Sequence, residues 1–189
     1  MSLVLLLALC AAPPSVEDAA QRFGPAMVTV RYGEDQQSVG FLVSSSGTLT
    51  TALPAGVSAV VVELSSGARR PGRVLAQDES GVTLVALQRT AEDGALLPAL
   101  AVVDEDRAIA PQVWHLGVDV AEGRVEPSLG GLRRVDERGR WHLDLPLTRG
   151  APVLLDGRVV AVVLARDGRT ASIAAPAARL RALASRLPR

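Results

Sequence analysis

The sequence predicts an all-β protein, and three observations carry that reading. From Ala26 to Leu87 short apolar runs recur at a spacing of roughly ten residues, broken by Gly- and Ser-rich turns, which is the rhythm of an antiparallel barrel or sandwich. A second set of such runs fills residues 112–174, with hairpin-turn residues between them. No strand-like run alternates with a helix-length periodic one, so no βαβ unit is expected.

In the first set, Met27, Val28 and Val30 open a strand that Gly33-Glu34-Asp35 ends. Val39 to Val43 forms a second, the serines of Ser44 to Gly47 make a turn, and Thr48 to Thr51 returns. Ala59 to Leu64, the turn Ser65-Ser66-Gly67, Arg69 to Ala76 and Val82 to Leu87 complete six strands. Residues 89–98 lapse into polar residues, Gly and Pro and read as a linker. Beyond it, strands are expected at Gln112 to Gly117, Arg124 to Leu129, Leu132 to Val135, Trp141 to Leu145, Pro152 to Leu155, Val159 to Leu164 and Thr170 to Ala174. Gly130-Gly131, Glu137 to Gly139, Asp156-Gly157 and Asp167-Gly168 supply the turns. Ala175 to Leu183, with Pro176 at its start, reads as a closing helix.

Composition narrows the function classes. Of 189 residues 48% are hydrophobic, enough for a packed core. Twenty arginines balance twenty acids, and a neutral chain argues against a general nucleic-acid or anionic-membrane binder. The absence of Lys beside abundant Ala, Gly and Val points to a GC-rich bacterial genome. Cys10 is the sole cysteine, so neither an intramolecular disulfide nor a Cys-based metal cluster is available, and no cofactor is expected. Residues 1–20 read as a signal-like segment: the apolar run Leu3 to Ala12 has the length of an export-signal core and is too short to span a bilayer. An exported protein, periplasmic or extracellular, is the expectation. Leu9 before Cys10 argues against lipid attachment there.

The domain plan that follows is a first β-set at 21–88, the linker at 89–98, and a second β-set with the helix at 99–189. Within it the stretch Leu145 to Val163 combines a turn, an apolar run, the Asp156-Gly157 turn and a second apolar run. It resembles the stretch of HtrA-type trypsin-like serine proteases that begins Gly-Asn-Ser-Gly-Gly-Pro, with Gly150-Ala151-Pro152 similar to the Gly-Gly-Pro half. Ser38 to Ala52 is similar to that family's Gly-Ser-Gly-Phe-Ile-Ile, turn, Gly-Tyr-Ile-Leu-Thr-Asn-Ala. Val60 to Arg69 resembles its hairpin ending in Leu-x-Asp-Gly-Arg, and Ala76 to Leu87 its Asp…Asp-Leu-Ala-Leu-Leu segment. Ala171 to Pro176 resembles the Gly-Phe-Ala-Ile-Pro before its closing helix. The resemblance implies a double six-stranded antiparallel β-barrel with a C-terminal helix.

It also implies where a catalytic triad would lie. The histidine position falls on Leu53, the aspartate on Thr83 and the serine on Arg149. Leucine accepts no proton, threonine carries no charge to stabilise an imidazolium, and a guanidinium is no nucleophile. Only four residues separate Asp144 from Arg149, fewer than the family places there, so the oxyanion loop is expected to be reshaped. His115 and His142 are the only histidines. A His142–Asp144 pair on one strand face is conceivable for acid–base work, but an exposed polar position is the simpler expectation. Arg149 either offers a cation to an acidic peptide or carboxylate, or is a structural residue paired with a carboxylate such as Asp144. The function expected is an inactive protease homologue that binds a protein or peptide, at the inter-barrel cleft or an edge strand, or acts as a scaffold. The alternatives are an active hydrolase with a non-standard site and an all-β structural protein.

Overall fold

The computed structural model describes residues 16–91, 96–103, 114–121 and 124–187. Cys10, the apolar N-terminal run, the middle of the linker and the start of the strand expected at Gln112 lie outside them. Twelve strands form two closed antiparallel barrels. The first runs β1 (Met27–Tyr32), β2 (Gln36–Leu42), β3 (Thr48–Ala52), β4 (Ala59–Leu64), β5 (Arg69–Gln77) and β6 (Val82–Leu87), in the spatial order 1-2-3-6-5-4. The second contains β7 (Trp114–Ala121), β8 (Arg124–Val135), β9 (Trp141–Leu143), β10 (Pro152–Leu155), β11 (Arg158–Asp167) and β12 (Ala171–Pro176). Helix α2 (Ala177–Ala184) closes the chain.

Period-2 alternation builds these strands. In β4 Val60 and Val62 point into the barrel while Ala59 and Val61 face out. At the β10–β11 turn both Asp156 and Gly157 have positive φ, 51° and 74°, the conformation a two-residue hairpin turn of this type demands. Barrel one is filled by Val28, Val30, Leu42, Leu49, Val62 and Val85. The core of barrel two reaches across to Met27, Val39 and Phe41 of barrel one, so the barrels share an apolar contact at their seam. Leu180 and Leu183 of α2 add to it by packing on Val82 and Leu84. Each such buried side chain contributes about 1.5–3 kcal/mol.

Two features differ from the sequence reading. Gly130-Gly131 is not a hairpin turn: β8 runs through it as one strand, so the second set has six strands rather than seven. Gly130 answers to close approach, since a Cβ there would overlap the carbonyl of Asp144 and the side chain of Leu145, whereas a Cβ on Gly131 would meet open space. Further, Val16–Phe23 forms a helix, α1, that the sequence reading left unassigned, and the boundary at residue 20 falls within it. Its Ala19 and Phe23 join the core of barrel two. From the linker region, residues 96–103 run as a strap. Leu97 and Leu100 donate to Ser45 and Leu42 of barrel one, while Val103 donates to Val159 of barrel two. Among the described residues no helix is long and apolar enough to cross a membrane.

Candidate functional site

The three positions to which the resemblance assigns catalytic residues fall into two groups. Leu53, packed in the core of barrel one, stands with Thr83 on β6, and Arg149 lies on the loop of barrel two that bonds to β2. Leu53 follows the end of β3, is buried, and donates its N–H to the carbonyl of Gly81. Thr83, fully buried on β6, lies opposite Thr51 on one side and Gln77 on the other. The Gln77 amide nitrogen ties the two together, 2.9 Å from the Leu53 carbonyl and 3.0 Å from the Thr83 hydroxyl. The Thr83 hydroxyl in turn donates to the Gly81 carbonyl.

Arg149 reaches the seam from barrel two. Its carbonyl accepts the N–H of Val39 at 2.9 Å and lies 2.8 Å from the Ser38 hydroxyl. Ser38 is buried inside β2 and stands 3.0 Å from both the Thr51 hydroxyl and the Ala52 carbonyl. Thr51 donates to the Val39 carbonyl, so its oxygen is free to accept. Ser38 has one proton for several carbonyls, and the cluster holds together by sharing it. Next to it Gly150, at φ 86°, lets the loop settle on barrel one, because a Cβ there would overlap the Val39 carbonyl. The side chain of Arg149 is half-buried, and its Nε donates to the Leu164 carbonyl at 2.9 Å. It does not pair with Asp144, which pairs with Arg133.

The short loop before Arg149 is drawn into barrel two. Leu145 and Leu147 are buried there, and Gly117 of β7 and Gly130 of β8 face them because neither position has room for a side chain. Buried Asp119 fixes the end of the loop: one carboxylate oxygen accepts the N–H of Thr148 and the other that of Val120, both at 2.7 Å.

The histidines lie elsewhere. His142 does not meet Asp144. Its Nε2 is 3.4 Å from Asp136 and its Nδ1 3.9 Å from Asp167, because β9 pairs with β8 and β12 and brings the turn acids to the imidazole. Asp136 caps its own hairpin, accepting the N–H of Arg140, the Arg140 Nε and the N–H of Arg138. The Arg140 N–H above all, with the other donors and His142, holds this carboxyl well below the usual carboxylate range despite partial desolvation. His115 lies on β7 opposite Gly130. Ser44 to Gly47 forms the expected turn, with the Ser44 and Ser46 hydroxyls bonded to each other. Among the described residues no group of three His, Cys, Asp or Glu side chains is placed to hold a metal ion.

No family model matches this chain, and no curated protein sequence matches it. The fold is nonetheless that of known proteins. The crystal structure of the serine endoprotease from Yersinia pestis superposes with a TM-score of 0.74 at 14% identity, over 92% of this chain and 66% of that one. The likeness establishes a trypsin-like double β-barrel. At this identity it speaks for the fold alone, and the chain spans 66% of the length of that protein.

Sequence reasoning did not single out Ser38, Thr51, Gln77 and Asp119. For the first two a signal existed, since they are polar positions inside apolar strands and burial requires them to find partners. Asp119 carried none, because its partner Thr148 lies 29 residues away.

Proposed function

We propose that this chain is a catalytically inactive homologue of trypsin-like serine proteases, whose barrels serve as a protein- or peptide-binding module or scaffold. What supports the proposal is the chemistry of Leu53, Thr83 and Arg149, the positions where the resemblance expects a histidine, an aspartate and a serine: Leu53 and Thr83 share Gln77, and Arg149 bonds to Ser38 beside Ala52. None can accept the proton, hold the charge or attack the carbonyl that acyl transfer requires. The Leu147 amide, two residues before the serine position and an oxyanion donor on the resemblance, adds to this, since it donates to the Leu145 carbonyl. Losing a triad costs on the order of a million-fold in turnover. On the HtrA resemblance and the signal-like N-terminus we also propose an exported, periplasmic or extracellular protein; fractionation of the producing cells tests that.

The direct test is labelling by a fluorophosphonate serine-hydrolase probe beside an active serine endoprotease. The expected result is a labelled control and an unlabelled sample. Stoichiometric labelling of any serine would overturn the proposal and favour the active-hydrolase alternative.

A further inference from the structure

Away from the seam, strand register concentrates unmatched positive charge on one wall of barrel one. Arg31 of β1, Val61 of β4 and Pro71 of β5 form one cross-strand row. Thr29, Glu63 and Arg69 form the next, and Arg73 stands beside Ala59 on the other side. Alternation turns all of these outward. Glu63 is shared by Arg31 at 3.5 Å and Arg69 at 3.0 Å, and the two arginine side chains are still 47% and 64% exposed. Two guanidiniums therefore share one carboxylate, with Arg73 two rows further along the same wall, in a chain whose formal charge is zero. Val61, 44% exposed, sits among them as an apolar centre.

The wall runs into a cleft of about 490 Å3 between the barrels. Thr29, Glu63 and Leu64 form its near side, and Val120 and Val125 of the β7–β8 hairpin form its far side. Both valines are only partly buried. The cleft is lined by polar and apolar groups in about equal measure, and its apolar side, with Leu64, Val120 and Val125, continuous with a basic wall, is complementary to one kind of occupant.

We propose that this surface binds an extended acidic segment of a partner protein, which seats an apolar side chain in the cleft and lays carboxylates on Arg31, Arg69 and Arg73. Bidentate pairing favours arginine for this task, and Arg31 and Arg69 meet the incoming carboxylates in place of their shared Glu63. The surface contains none of Leu53, Thr83 and Arg149, so it goes beyond the function proposed above and stands whether or not the chain is catalytic.

Selection of a phage-displayed random dodecapeptide library on the purified full chain tests this. The enriched sequences are expected to carry a bulky apolar residue with Asp or Glu in the following positions. One such peptide, made with a fluorophore, should bind about tenfold more weakly to Arg69→Glu by fluorescence polarisation. It should also lose affinity for Thr29→Trp, which fills the cleft mouth, with circular dichroism showing both variants folded. Failure to enrich, enrichment without acidic residues, or affinity indifferent to both variants would overturn the inference. So would pelleting of the chain with phosphatidylglycerol vesicles in the absence of peptide enrichment, which would make the wall a lipid surface. Loss of peptide binding in Arg149→Ala would also overturn it by moving the peptide to the seam, and would leave the peptide-binding module intact. Fluorophosphonate labelling would do the reverse, removing the inactive-homologue reading and leaving this surface untouched.

Discussion

The seam around Arg149 and the outer wall around Val61 are built from the same kind of strand and offer opposite chemistry. At the seam the backbone and side-chain polar groups bond to one another: Ser38 with Arg149, Gln77 with Leu53 and Thr83, Asp119 with Thr148. On the wall two exposed arginines share one carboxylate beside an exposed valine. Internal satisfaction stabilises a fold and withdraws groups from any ligand, whereas unmatched surface charge adds little to stability and remains open to a partner.

The comparison breaks most severely at Gly150. Gly150→Ala puts a Cβ into the Val39 carbonyl at a positive φ, and a loss of about 3 kcal/mol or more in urea unfolding is expected. If Gly150→Ala unfolds like the parent, the loop does not rest on barrel one as described. Asp119→Asn comes next. It keeps one acceptor and turns an N–H group toward the second amide, a cost of about 1–3 kcal/mol in the same assay. Arg149→Ala removes one hydrogen bond to the Leu164 carbonyl, worth about 1 kcal/mol, and fluorophosphonate labelling should remain absent.

Asp136 sharpens the contrast through pH. Its carboxyl is held low in the folded chain, so its stabilisation is fully present above the unfolded-state value of about 3.9 and disappears as pH falls below it. Asp136→Asn should therefore be less stable than the parent at neutral pH, with the gap in melting temperature closing in acid. A gap that widens on acidification would show that the turn donors do not favour the ionised carboxyl. The smallest effect belongs to the wall. Arg73→Ser should change stability by no more than about 0.5 kcal/mol, and a larger loss would make Arg73 structural.

Much of the architecture was legible because it is local. The alternation of β4 and the Asp156-Gly157 turn announce themselves within a few residues. Gly130-Gly131 misled because a glycine needed for a turn and one needed for close approach look alike in sequence. Helix α1 escaped because its buried stripe is as slight as Ala19 and Phe23, and barrel two supplies the surface that holds it. The pairing of His142 with Asp136 and Asp167, rather than with Asp144, followed from the register of β9 between β8 and β12.

The all-β pattern and the chemical capacity of single residues are legible in the chain before it folds. In any fold leucine at 53 accepts no proton, threonine at 83 carries no charge to stabilise an imidazolium, and arginine at 149 is no nucleophile. Which groups meet is a product of the folded arrangement. It gave the amide of Thr148 to Asp119, set the Arg149 carbonyl on Ser38, and aligned Arg31, Arg69 and Arg73 on one wall. The reason is physical: hydrogen-bond partners and charge neighbours in a barrel are set by register between strands distant in the chain, and no local pattern encodes that register.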